Sequence, residues 1–166
     1  MEKLKSPDFI PSSRKLALLT SGLLFMGSSC LVAAAEAAKA AATWQELIVR
    51  GDQEIAAQHL LPAEKLYREA LQQVEHGPHT DLDEISCLEK LAAALVLEDK
   101  TEEAVKLYRK SLHMLEAKYG KSSIKVVPTL FALGSIYESE GNPEISMPLY
   151  KRAMTINERN YGPYSP

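Results

Sequence analysis

The densest group of chemistry-bearing side chains is His76-Gly77-Pro78-His79-Thr80-Asp81-Leu82-Asp83, which puts two imidazoles and two carboxylates within eight residues. Imidazole nitrogens and carboxylate oxygens are donors for zinc and for harder cations, so the chemistry on offer is metal binding. The same residues also make a connection: Gly77-Pro78 forms a turn, and Thr80 or Asp81 caps the helix that follows. The connection is the preferred reading, because His59 and His113 fall in distant segments. The expectation is no metal and no cofactor, with a metal-binding accessory role for His76 and His79 as an alternative. Cys30 and Cys87 are the only cysteines, too few for a disulfide framework or a thiolate zinc site. Cys87 reads as a small buried hydrophobe. No Gly-rich phosphate loop, nucleophile elbow, HExxH pair or dinucleotide fingerprint occurs. Carboxylates such as Glu102-Glu103 lie in polar stretches with nothing to tune them for proton transfer. No catalytic residue is expected, and no enzyme.

The elements that would position these groups are helices. The chain has 166 residues, 46% apolar and 25% charged, within the range of one globular unit. From Ala33 onward Ala, Leu, Glu and Lys dominate over β-branched and aromatic residues, which favours helix almost throughout. A net charge of −3 and a pI near 5.8 give no basic field, so nucleic acid is excluded as the expected partner.

Three segments align: Ala63-x3-Tyr67-x2-Ala70-Leu71, Ala104-x3-Tyr108-x2-Ser111-Leu112 and Ser146-x3-Tyr150-x2-Ala153-Met154, with periods of 41 and 42 residues. Small, large and small fall on one helical face, where the small residues admit a neighbouring helix and the ring fills the space between. A second amphipathic segment precedes each: Leu88-x2-Leu91-Ala92-x2-Leu95, then Leu130-x2-Leu133-Gly134-x2-Tyr137. A looser one holds Trp44, Leu47 and Gly51, with Arg50 in place of leucine, and marks the edge of the stack. Asp99-Lys100 and Gly141-Asn142-Pro143 are turns between paired segments. The pattern predicts helices near 42–57, 60–75, 81–98, 101–118, 123–140 and 143–159. Pro128 falls in a first turn, whereas Pro148 is expected to fray or kink the start of the last helix.

These residues resemble the tetratricopeptide repeat over about Trp44 to Pro166. The 42-residue spacing, with Lys118-Tyr119-Gly120 and Asn160-Tyr161-Gly162 ending the last two units, is similar to the long subclass of kinesin light chains. The resemblance implies an all-α fold, a short α-solenoid of about three helical hairpins (six antiparallel helices), with units near 43–78, 80–120 and 122–162 in a domain spanning 38–166. It implies a non-catalytic scaffold that binds a protein or peptide on the concave face lined by the first helix of each hairpin. On that face lie Ile48, Asp52 and Ile55; Glu89, Lys90, Ala93 and Val96; and Phe131, Ser135 and Glu138. A clamp for a ligand's terminal carboxylate needs Lys, Asn and Arg; only Lys90 qualifies, and Ala132 follows in the next unit. Phe131 and Val96 would form an apolar floor, and Glu89 with Glu138 would favour a basic ligand residue. The last helix has no polar cap, so Met147, Met154 and Ile156 are expected to stay open and to support self-association into a homo-oligomer.

Residues 1–37 read as a targeting segment. Lys3, Lys5, Arg14 and Lys15 precede the apolar run Leu16–Met26, and small residues near Ala35 to Ala38 offer a cleavage site. Residues 16–35 carry no charge and have the length of an uncleaved membrane tether, and Cys30 is a lipidation candidate with Gly27 at an unfavourable place. Each reading puts the repeats outside the cytosol, in a periplasmic, secreted or membrane-anchored protein.

Overall fold

The computed structural model describes residues 42–162, and the whole targeting segment, with Cys30, lies outside them. Six helices follow in order: α1 Trp44–Ala56, α2 Leu60–His76, α3 Asp81–Leu97, α4 Thr101–Tyr119, α5 Val127–Ser139 and α6 Pro143–Tyr161, with a 3-10 turn at Ile124–Val126 before α5. They pair as three hairpins, α1–α2, α3–α4 and α5–α6, and the fold is a short all-α solenoid with no strand among the described residues. Among the described residues no helix is long and apolar enough to cross a membrane.

Local chemistry sets the boundaries. Thr43 and Glu46 cap α1 reciprocally, and Thr80 and Asp83 do the same for α3, each pair satisfying two free N–H groups of a first turn. Every hairpin turns on one left-handed residue at the same repeat position: Gln58 at φ 62°, Asp99 at φ 63° and Gly141 at φ 74°. Only the third hairpin places glycine there, where it meets no steric penalty. The start expected at 123 for α5 is instead a capped 3-10 turn, with Ser123 accepting from the Lys125 N–H, and Pro128 sits in the first turn of the helix proper. The helix α6 begins at Pro143 and continues through Pro148. Pro148 and Glu144, whose carbonyl is the one left without an intrahelical partner, are both exposed residues.

The small-Tyr-small columns are the spine of the core. Ala63, Ala104 and Ser146 are buried, as are Ala70, Ser111 and Ala153. Tyr67 and Tyr108 are buried beside them, and Tyr150 is half-buried. Leu91, Leu95, Leu130 and Leu133 close the spaces between hairpins, as does Cys87, fully buried as expected, its thiol pKa pushed up to about 11 by burial and the nearby Asp83 and Glu84.

Successive second helices are also tied by charge. Lys100 joins Glu64, Arg68 joins Glu103, Lys110 joins Glu75, and Arg152 joins Glu116. The tightest knot is Lys100, 2.6 Å from both Glu64 and Glu98, whose side chains are 12% and 6% exposed. Burial raises the Glu64 pKa, but hydrogen bonding with Lys100, Arg68 and Glu98 outweighs it and holds the pKa below the ordinary 4.5. The contribution of Glu64 is therefore present above about pH 4.5 and is lost as the pH falls through its folded pKa. Lys100→Met leaves Glu98 without its ammonium and Glu64 with Arg68 alone, so two neighbouring, largely buried carboxylates lose the charge they share. Thermal unfolding followed by circular dichroism is expected to show a lower midpoint for Lys100→Met than for wild type at pH 7, with the gap closing toward about pH 4.

The two ends differ. At the position of Cys87 and Thr129 the first hairpin has Glu46; at that of Leu91 and Leu133 it has Arg50; at that of Ala94 and Ile136 it has Gln53. The residues of the second and third hairpins are buried at all three places, whereas Glu46, Arg50 and Gln53 are exposed. In the second and third hairpins these positions pack on the preceding hairpin, and in α1 the same face is polar and exposed.

Candidate protein-binding face

The face formed by α1, α3 and α5 is held by two cross-links. The Lys90 ammonium bonds both Asp52 oxygens at 2.7 and 2.9 Å, joining α3 to α1. Glu89 Oε1 accepts from Thr129 Oγ1 at 2.6 Å and from Ser111 Oγ at 2.7 Å, joining α3 to α5 and α4. Asp52 also accepts from Tyr67 Oη at 2.6 Å. Burial alone would raise the Asp52 pKa, but the bonds from Lys90 and Tyr67 outweigh it and hold it below the ordinary value. Tyr67 is shifted upward by burial and by the same carboxylate.

The corresponding tyrosines differ in their surroundings. Tyr150 donates to Glu138 Oε2 at 2.7 Å, a bond that raises its pKa first, with burial second. Its ring lies 5.7 Å from that of Phe131, tilted by 39°. Tyr108 has Ala93 and Val96 at the places of Asp52 and Glu138 or their neighbours, so α3 offers it no hydroxyl partner there; burial, then Glu89, raises its pKa. The middle of the face is thus apolar and its ends carry Asp52 with Lys90 on one side and Glu138 with Tyr150 on the other.

Of the residues expected on this face, Asp52, Ala93, Val96, Phe131, Ser135 and Glu138 are exposed, and Lys90 and Ile55 are partly so. Ile48 is 9% exposed and belongs to the core, packed with Leu47, Ala63 and Tyr67. Glu89 is half-buried, bonded to two buried hydroxyls, and works as an inter-hairpin strut. At the open end Met147 and Met154 are 67% and 56% exposed, but Ile156 is 3% exposed beneath Val127 and Leu130, so it offers no surface for association. The His76–Asp83 segment takes its connecting role: His76 bonds the Gln72 carbonyl, His79 bonds that of Gly77, Asp83 caps α3, and Asp81 pairs with Lys118 at 2.9 Å. Among the described residues no group of three or more His, Cys, Asp or Glu is arranged to hold a metal ion.

Residues 85–124 and 127–160 each match a family model described as tetratricopeptide repeat. No curated protein matches the chain. Among solved structures the chain is similar to BtubC (BKLC) from P. vanneervenii, with 21% identity and a TM-score of 0.61 over 71% of this chain and 47% of that one. It is also similar to aspartyl phosphate phosphatase F from Bacillus subtilis, with 17% identity and a TM-score of 0.63 over 70% of this chain and 30% of that one. The chain thus spans under half of either protein, and at these identities the likeness speaks for the fold. The second and third hairpins thus match tetratricopeptide-repeat models, and the first shares their small-Tyr-small column.

Proposed function

We propose that this protein is a non-catalytic scaffold that binds a segment of a partner protein along the face of α1, α3 and α5, and that residues 1–37 place it outside the cytosol by export or as a membrane tether. The 41- and 42-residue spacing supports a place in the long, kinesin light chain-like subclass. The observation that carries the binding reading is the pairing of exposed apolar surface with a carboxylate: Phe131 and Val96 are 40% and 36% exposed, Ala93 lies open one turn before Val96 on α3, and the Glu138 carboxylate is exposed and, among the described residues, bonded to a neutral phenol alone. The cation of the face, Lys90, is committed to Asp52. A ligand with an apolar side chain beside a Lys or Arg satisfies both features.

Selection from a random peptide library on the chain as recovered from membranes or medium tests this reading. The intact mass of that chain reports whether the first 35 or so residues have been removed. The expected binders carry a basic residue next to a large apolar one. Phe131→Ala is expected to weaken them about tenfold or more, the loss of one well-buried aromatic contact, and Glu138→Lys to shift selection toward acidic peptides. Binders indifferent to both substitutions would place recognition elsewhere.

A further inference from the structure

Inside the stack, the apolar middle of the outward stripe of each second helix is covered by the hairpin that follows, while Arg68, Arg109 and Tyr119 on the same stripe stay exposed. Leu71 on α2 and Leu112 on α4 are half-buried against the core, and Glu75 and Glu116 pair with Lys110 and Arg152 of the next second helix. The same stripe on α6 is Met147, Lys151, Met154, Glu158 and Tyr161, spaced four, three, four and three residues apart and so on one helical face. Met147, Met154 and Tyr161 are 67%, 56% and 65% exposed. All the residues of the stripe are exposed, and neither Lys151 nor Glu158 makes an ion pair among the described residues.

We infer that two copies of this chain pair tail to tail through α6, with the two helices antiparallel and crossing near Met154. The stripe is self-complementary in that arrangement. Met154 meets its own symmetry mate, Met147 lies against Tyr161 of the second copy, and Lys151 comes within reach of Glu158 of the second copy, twice by symmetry. An isologous contact of this kind closes after two subunits. The alternative of stacking α6 on the α1 of another copy sets the methionines against Glu46, Arg50 and Gln53, burying charges without partners. The polar outer face of α1 therefore disfavours stacking on α6 of another copy, whereas the α6 stripe is complementary to itself. A single helix face buries less than a standard interface, so the pair forms in a concentration-dependent way. Pairing gives the assembly two binding faces whatever ligand they accept.

Cysteine cross-linking of the full chain tests the pairing, in a Cys30→Ser background where the remaining Cys87 is buried. Under mild oxidation Met154→Cys is expected to form a disulfide-linked dimer, and Arg50→Cys is expected not to. Adding Lys151→Glu to Met154→Cys should lower the dimer yield several-fold, and adding Lys151→Glu with Glu158→Lys should restore it, since the paired charges are then exchanged on both copies. All four positions are exposed, so the substitutions leave the core intact. Equal yields from Met154→Cys and Arg50→Cys, yields indifferent to charge reversal, or mixed dimers between Arg50→Cys and Met154→Cys chains would each overturn the tail-to-tail pair.

Discussion

Leu91→Ala is expected to lower the free energy of unfolding by about 2–5 kcal/mol, the range for removing a fully buried leucine side chain and leaving its space unfilled. Arg50→Ala, one repeat earlier at the same position, is expected to stay within about 0.5 kcal/mol, as exposed substitutions do. Leu91 is 1% exposed and packs in the cluster that joins all three hairpins, with Leu47, Tyr67 and Ala70 on one side and Leu133, Ile136 and Tyr137 on the other. A domain of this size has a total stability of about 5–15 kcal/mol, so the first change removes a large share of it. Urea titrations of both variants, read at equal denaturant slope, check the contrast. A large loss in Arg50→Ala would mean that α1 is covered by something on its outer face.

That contrast was legible before any coordinates, because Arg50 interrupts the leucine column of the repeat and burial at a solenoid position depends on having a neighbour. The helices, the small-Tyr-small columns and the intra-hairpin turns at Asp99 and Gly141 follow equally from periodicity and turn chemistry, whereas the 3-10 turn that delays α5 to Val127 does not. What the sequence left hidden lies where a side chain chooses between two directions a few tens of degrees apart. Ile48 and Phe131 share one repeat position, yet Ile48 is in the core and Phe131 is open. Glu89, at the same position again, is turned inward by the hydroxyls of Ser111 and Thr129, which lie 22 and 40 residues away. A buried hydroxyl pair needs an acceptor, and no local pattern around Glu89 announces where its donors will be. Ile156 has a comparable history. It sits two residues from the exposed Met154, but a rotation of 200° carries it to the opposite side of α6 and under Val127 and Leu130.

The three hairpins also show how one packing solution acquires different surface chemistry. Each needs a tyrosine seated against the first helix, and the phenol oxygen must then find a partner or water at the edge of the binding face. Asp52 serves in the first hairpin and Glu138 in the third, from positions one residue and four residues after the glycine. In the second, Ala92 replaces that glycine and no carboxylate follows on the same helix face. The packing residue thereby orients a carboxylate at either end of the face, and the polarity of the candidate site is a by-product of how its tyrosines are satisfied.

Gly134→Ala should therefore act on both stability and the face. A methyl carbon at Gly134 would lie 2.5 Å from Tyr150 Cε1 and 2.9 Å from Cδ1 and Cζ, well inside contact distance, so the ring or the helix must move. The ring is restrained by its 2.7 Å bond to Glu138 and by Phe131 beside it. Replacing a mid-helix glycine gains about 1 kcal/mol of helix propensity, but overpacking costs about 1–3 kcal/mol, and three ring atoms in conflict set the outcome toward the larger cost. A net loss of about 1–2 kcal/mol is expected from these opposing terms. Gly51→Ala should behave alike, since its added carbon would overlap the Tyr67 ring that Asp52 holds. The diagnostic is the double variant: with Tyr150→Leu the ring is gone, the methyl has room, and Gly134→Ala becomes neutral or stabilising, giving a coupling energy of about 1–3 kcal/mol between the two positions. Denaturant unfolding of the four members of this cycle measures it. Additive effects would show that the glycine is there for some reason other than the tyrosine it faces.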